Sequence, residues 1–219
     1  MSGDPNRLYK FGGMAFILSG LLFLCRGLLD LVAGPPPSNG ADILAWVASE
    51  KLAIALVSEV LFFAAIALVP ATIALYQSLA TTDRVKATTG CGIIATVIPV
   101  IAMSLIIHGR LVYPVYGMVT TSPDDAALIV AVFYGGMHAV GLMMAIATFV
   151  LSLAMLRGVY GKRIAYLGFA TAALDILGAY PDAIGSVLTL LCQVFFTAWF
   201  VAVGAKLYRM PVLRDCDHG

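Results

Sequence analysis

Apolar residues lie in long blocks along this chain, and short polar or helix-breaking stretches separate them. Six blocks stand out, at residues 9–33, 52–79, 87–107, 126–156, 164–180 and 184–208. A helix needs roughly 17 to 25 apolar residues to cross the hydrocarbon core of a membrane. The pattern therefore predicts an all-α, polytopic membrane protein: a bundle of six transmembrane helices in a single domain over residues 1–219.

The fourth block has the clearest helix start. Ser122 is a good N-cap, and Pro123 suits the first position of a helix. Asp124 and Asp125 follow, and their negative charges complement the positive end of the helix dipole. The sequence thus places the start of this helix at residue 123.

A narrow polar stripe runs along the same block. His138, Gly141, Ala145, Thr148 and Ser152 are spaced by three or four residues, so they share one face of the helix. The opposite face is bulky and apolar: Leu142, Met143, Ile146, Phe149, Val150 and Leu153. Polar groups in a membrane need protein partners, so the stripe is predicted to face the bundle interior.

The sequence predicts the conformation of three segments that connect the blocks. Residues 34–40 (GPPPSNG) form a breaker cluster that cannot be helical. Residues 42–51 are typical of a short amphipathic helix, with Trp46 at the depth of the membrane interface. Only residues 181–183 separate the last two blocks, which predicts a tight antiparallel helical hairpin.

Composition supports the membrane assignment. Hydrophobic residues make up 61% of the chain and charged residues 11%, whereas soluble domains carry about a quarter charged residues. A net charge of +1 leaves no basic face for nucleic acid. The four cysteines are dispersed, so neither a disulfide framework nor a thiolate metal site is predicted.

The basic residues predict the orientation. Ten lie on one side of the predicted bundle: Arg7, Lys10, Arg84, Lys86, Arg157, Lys162, Arg163, Lys206, Arg209 and Arg214. Three lie on the other: Arg26, Lys51 and Arg110. Because cytoplasmic loops are enriched in Lys and Arg, both termini are predicted to be cytoplasmic.

Ionisable residues within the spans all fall in the outer half of the predicted bundle. They are Arg26, Asp30, Glu59, His108, His138 and Asp175. Charges at membrane depth cost several kcal/mol unless they are paired or hydrated, so the helix faces that carry them should converge. The sequence thus predicts an outward-facing polar pocket that binds a ligand, with Glu59, His138 and Asp175 at its centre and Arg26 and His108 at its flanks.

Structural explanations compete with the functional one. Arg26 and Asp30 are one helical turn apart and can neutralise each other. His108 fits an interfacial position at a helix end, and Glu59 needs a partner on another helix, for which Arg26 is a candidate. Asp175 is the hardest to explain structurally, since nothing on its own helix neutralises it.

The first functional hypothesis is a metal or cofactor site. His108, His138, Glu59 and Asp175 are suitable ligands for zinc or iron. A metal with an open position would activate water against a lipid-like substrate, as in a membrane hydrolase. In a variant, His108 and His138 are paired haem ligands. No HExxH motif or clustered histidines accompany these residues.

Two further hypotheses concern other classes of function. Intramembrane carboxylates and a histidine are typical of transporters for small solutes or ions, although the inner half offers no matching polar residues. Alternatively, the charges form a structural network in a non-catalytic membrane subunit or scaffold. In every case the bilayer surrounds the protein, and the first two hypotheses add a small molecule or ion from the outer side.

Three short motifs resemble a broad prokaryotic set of six-span membrane proteins that are grouped as a domain of unknown function. The motifs are residues 73–76 (IALY), 133–141 (FYGGMHAVG) and 166–169 (YLGF). The resemblance implies a six-helix bundle in a prokaryotic cytoplasmic membrane. It provides no catalytic residues that can be transferred to this chain.

Overall fold

The computed structural model describes residues 5–210, and this range is mostly helical, with irregular links such as residues 34–39 and 112–122. The helices are α1 (Pro5–Ala33), α2 (Gly40–Ser49), α3 (Lys51–Ala80), α4 (Arg84–His108), α5 (Pro123–Met155), α6 (Lys162–Gly178) and α7 (Pro181–Tyr208). A single 3₁₀ turn, Gly109–Leu111, follows α4. The predicted all-α fold is confirmed, while Arg214 and Cys216 lie outside the described residues.

Five helices are long and apolar enough to cross a membrane: α1, α3, α4, α5 and α7. Helix α6 coincides with the fifth predicted span but has only 17 residues and is not among the five. Large apolar side chains are exposed on the outer faces, such as Phe63 at 56% and Ile106 at 67%. These features are typical of an integral membrane protein.

Side chains cap three of the helices at their N-termini, and the cap on α5 is the one that the sequence predicts. The Oγ atom of Ser122 accepts a hydrogen bond of 3.4 Å from the backbone N–H of Asp125, which confirms the predicted start of α5. Asn39 caps α2 in the same way through the N–H of Asp42. Asp83 caps α4 and also accepts from the Lys86 side chain, and these contacts with Lys86 lower the pKa of Asp83.

The six helices other than α2 are arranged in a ring. Each packs against two neighbours in the order α1, α3, α4, α5, α6, α7 and back to α1. Helix α2 covers one end of the ring, hereafter the α2 end, where it packs mainly against α5. Its buried residues Ile43 and Val47 join a small apolar cluster with Ile54, Leu111 and Val130.

Aromatic side chains fill part of the ring interior. Phe16, Trp199 and Phe200 are fully buried, and the Phe16 and Phe200 ring centroids are 4.6 Å apart. Where α1 meets α7, the two backbones come close at Gly13 and Gly204. A Cβ placed on Gly13 would lie 2.7 Å from the carbonyl oxygen of Gly204, so only glycine fits there.

The polar stripe of α5 faces the bundle interior, as predicted. Ala145 is 2% exposed, and Thr148 and Ser152 are fully buried. On the opposite face, Ile146 is 56% exposed and Phe149 is 49% exposed. The helical period thus gave the correct orientation of this helix.

The short α6 leaves the ring incomplete at the α2 end. Its last residues lie level with Gly141 of α5, since a Cβ on Gly141 would be 3.3 Å from that of Ala179. From that level α5 continues for 18 residues to Pro123, about 27 Å. The chain returns through a first turn of α7 that breaks at Gly185, whose φ of 77° favours glycine.

Candidate functional site

A cavity of about 750 Å³ lies inside the ring at the α2 end, beyond the end of α6. Helices α1, α5 and α7, the end of α6 and the linker between α1 and α2 form its walls. Its polar and charged lining includes Arg26, Asp30, Tyr134, His138, Asp182 and Gln193. The volume lies within the range of small-molecule sites.

Arg26 and Asp30 form an ion pair on the α1 wall. The Nε atom of Arg26 lies 2.8 Å from Oδ2 of Asp30, although the two are not aligned for a hydrogen bond. Both side chains are partly shielded from solvent, at 16% and 30% exposure. The predicted pairing between successive helical turns is present, and the two charges largely offset each other.

His138 lines the cavity from α5 and is tied to the end of α6. Its Nδ1 atom lies 2.7 Å from the carbonyl oxygen of Ala179, and a carbonyl can only accept a hydrogen bond. Nδ1 therefore carries the proton, and a neutral ring keeps the lone pair of Nε2 for another group. The Tyr180 ring packs against the imidazole in an edge-to-face arrangement, with ring centroids 4.8 Å apart and planes at 73°.

Asp175 lines a smaller pocket of about 110 Å³ that adjoins the cavity. The two spaces share wall residues, among them Arg26, Thr189 and Gln193. Within the described part of the chain, the Oδ2 atom of Asp175 is buried and has no hydrogen-bond partner. A buried carboxylate oxygen without a partner is costly, so this atom is poised for a ligand or a proton.

Glu59, predicted at the centre of the pocket, lies outside both spaces. It is exposed on α3, and its Oε1 atom accepts a hydrogen bond of 3.0 Å from the Tyr113 hydroxyl. Tyr113, and not the expected Arg26, is therefore its partner. Burial, together with the hydrogen bond to Glu59 and its charge, raises the pKa of Tyr113.

His108 also lies outside the cavity and has a structural environment. It is 2% exposed, and its Nδ1 atom lies 2.8 Å from Oγ of Ser58. Its ring stacks on Phe133 with a centroid distance of 3.9 Å and an interplanar angle of 21°. These contacts fix the position of the imidazole between α3, α4 and α5.

The four predicted metal ligands are not brought together. Among residues 5–210, no group of three or more His, Cys, Asp or Glu side chains could hold a metal ion. Glu59 and His108 lie outside the cavity that His138 lines, and Asp175 lines the adjoining pocket. The geometry therefore supports neither the predicted zinc or iron site nor a haem held between His108 and His138.

Several lining residues were not among the predicted site residues. Tyr134 lies one helical turn before His138, so the same helical period would have indicated it. Tyr180 and the linker residues Gly34, Pro35 and Ser38 also line the cavity, but no pattern in the sequence marks them as walls.

Comparison of this chain with protein-family models, with curated proteins and with solved structures found no match. Function is therefore inferred from the cavity, from the side chains that line it and from the adjoining pocket of Asp175.

Proposed function

We propose that this chain is a membrane protein that binds a small ligand in the cavity at its α2 end. The supporting observation is the cavity itself: about 750 Å³ of space inside a helical ring, lined by charged and hydrogen-bonding side chains. Arg26, Asp30 and His138 lie on its walls, and Asp175 lies in the adjoining pocket. Mostly apolar walls with a few polar groups are typical of ligand sites.

The proposed topology has six crossings, with α6 as a short fifth crossing and both termini cytoplasmic. Helix α6 is about 26 Å long, slightly less than the hydrocarbon core. The end opposite α2 carries most of the described basic side chains, including Arg84, Arg157 and Lys162, which supports a cytoplasmic location for that end. The α2 end then faces outward, in a prokaryotic cytoplasmic membrane.

Cysteine labelling tests this topology. In a background without native cysteines, Ala183→Cys lies at the cavity and Val159→Cys in the turn between α5 and α6. In intact cells, a membrane-impermeant maleimide should label Ala183→Cys, whereas Val159→Cys should react only after the cells are opened. Both positions are exposed in the fold, so accessibility alone would not cause a difference. If only Val159→Cys were labelled in intact cells, the orientation of the protein in the membrane would be the opposite of the proposed one.

A cavity-filling variant tests ligand binding. Ser186 lines the cavity, and the nearby Leu188 does not. We expect thermal-shift screening of the purified protein against a library of small metabolites to give stabilising compounds. Their effect should be lost in Ser186→Trp, whose indole would occupy the cavity, and retained in Leu188→Trp. A screen without stabilising compounds, or with compounds that stabilise both variants equally, would contradict the proposal.

Transport is a second candidate because Asp175 presents an unpartnered carboxylate oxygen at membrane depth. However, Trp199, Phe16 and Phe200 fill the ring interior elsewhere. A passage from the cavity to the other end would require these side chains to move. Ligand binding therefore has the stronger support.

A further inference from the structure

The acidic side chains around the two spaces outnumber the basic ones. Within residues 5–210, three carboxyl groups line them, those of Asp30, Asp175 and Asp182, against a single guanidinium, that of Arg26. Because Asp30 lies 2.8 Å from Arg26, this pair is close to neutral by itself. Asp175 and Asp182 remain as carboxyl groups without a cationic partner among the lining residues, one in the adjoining pocket and one in the first turn of α7.

The surroundings of Asp175 are suited to an organic cation. Phe23 and Phe196 line the same pocket, with ring centroids 5.4 Å apart and planes at 90°. Met137 and Met144 add polarisable apolar surface. Aromatic rings beside a carboxylate attract ammonium groups through cation–π and charge interactions. The pocket volume of about 110 Å³ has room for such a group.

Other ligand classes fit these surroundings less well. An anion would find the lining cation, Arg26, already paired with Asp30, and a neutral alcohol would bring a hydrogen-bond donor but no positive charge. A metal ion needs several protein ligands, and no group of three or more His, Cys, Asp or Glu side chains in residues 5–210 provides them. A primary ammonium needs acceptors for its three N–H groups, and the pocket lining offers the side-chain oxygens of Asp175, Thr189 and Gln193.

We infer that the cavity binds a small organic amine with an apolar body, whose ammonium group contacts the carboxylate of Asp175. The apolar body occupies the larger space beside Tyr134 and the linker residues, and Asp182 attracts the cation at the rim. A bound amine supplies the partner that Oδ2 of Asp175 lacks in the described structure. The inference rests on the proposed function and specifies its ligand class.

Three compounds of nearly equal size test the charge requirement: phenethylamine, phenethyl alcohol and phenylacetate. Isothermal titration calorimetry of the detergent-solubilised full-length protein gives the dissociation constant of each. We expect phenethylamine to bind at least about 10-fold more tightly than the other two, because only it carries a positive charge. Equal affinity for the alcohol, or tighter binding of phenylacetate, would overturn the inference.

Two matched variants locate the charge. Asp175→Asn keeps the shape of the side chain and removes its charge, and it should weaken phenethylamine binding at least about 10-fold. Glu59→Gln removes an exposed carboxylate that lies outside both spaces, and it should leave binding unchanged. An Asp175→Asn protein that binds phenethylamine as tightly as wild type would exclude Asp175 as the contact. Because both variants are measured in the same detergent, partition of the amine into micelles cancels.

The outcomes separate this inference from the proposed function. If Ser186→Trp removes binding of all three compounds but wild type does not prefer the amine, the cavity binds ligands and the charge argument is wrong. If none of the three binds, the inference is wrong, and the metabolite screen decides the proposed function separately. If Asp175→Asn fails to fold, the comparison of the three compounds on wild type still tests the need for a positive charge. Asp182→Asn, at the rim of the cavity, should weaken phenethylamine binding less than 10-fold.

Discussion

Replacement of Trp199 by alanine is expected to reduce the free energy of unfolding by about 3 to 5 kcal/mol. The indole is fully buried, and it packs edge-on against Phe16 and Phe200 at centroid distances of 6.0 and 5.6 Å. It also lies against Gly168 of α6, where an added Cβ would be 2.6 Å from the indole Nε1. Removing this side chain would leave a cavity where α1, α6 and α7 meet.

Trp199→Phe is the matched control. Within the described residues, the buried Nε1 of Trp199 has no hydrogen-bond partner, so phenylalanine sacrifices volume but no hydrogen bond. Trp199→Phe should therefore reduce the free energy of unfolding by less than Trp199→Ala, by about 1 to 2 kcal/mol. Far-UV circular dichroism during titration of mixed micelles with sodium dodecyl sulfate would measure both variants. Equal losses for Trp199→Ala and Trp199→Phe would show that the indole volume is not what stabilises this region.

The second large effect is expected for Gly13→Ala. A Cβ at this position would lie 2.7 Å from both the Gly204 carbonyl oxygen and the Tyr208 backbone nitrogen. Backbone atoms cannot move aside as a side chain can, so α1 and α7 would have to separate. Overpacking of this kind costs about 1 to 3 kcal/mol. The same denaturation measurement should show a loss of about 2 kcal/mol or more.

Gly92→Ala provides the comparison for Gly13→Ala. No atom lies within 4 Å of a Cβ placed on Gly92, which is exposed in the middle of α4. Alanine has the higher helix propensity, so Gly92→Ala should leave stability unchanged or raise it by up to about 1 kcal/mol. If the two substitutions had equal effects, close approach of α1 and α7 would not explain the glycine at position 13.

The sequence predicted the helices well because their ends are chemically marked. Ser122 and Pro123 fix the start of α5, and the glycine and prolines of residues 34–37 end α1. The spacing of the α5 stripe also predicted correctly which face of the helix is buried, because residues three or four apart stay on the same face of a regular helix. By contrast, the cavity beyond the end of α6 depends on how far α5 and α7 extend past that end. Helix lengths alone do not show how neighbouring helices are aligned along their axes.

The candidate site was predicted only in part. Arg26, Asp30 and His138 line the cavity, and Asp175 lines the adjoining pocket. Glu59 was misplaced because its partner, Tyr113, comes from an irregular segment whose path hydropathy does not reveal. Depth along a helix follows from residue number, but rotation about the helix axis and the choice of neighbour depend on packing.

The difference in helix length also has a consequence for the surrounding lipid. Helix α6 is about 26 Å long and lies between α5, at about 50 Å, and the continuous part of α7 after Gly185, at about 35 Å. With α6 as the proposed short crossing, the hydrophobic thickness on this side of the protein would be smaller than elsewhere, and a bilayer adapts to such a mismatch by local thinning. The lipid tails next to α6 would then end near the flank of the cavity. We therefore expect apolar amines to enter laterally from the membrane, so that their apparent affinity increases with their partition into lipid.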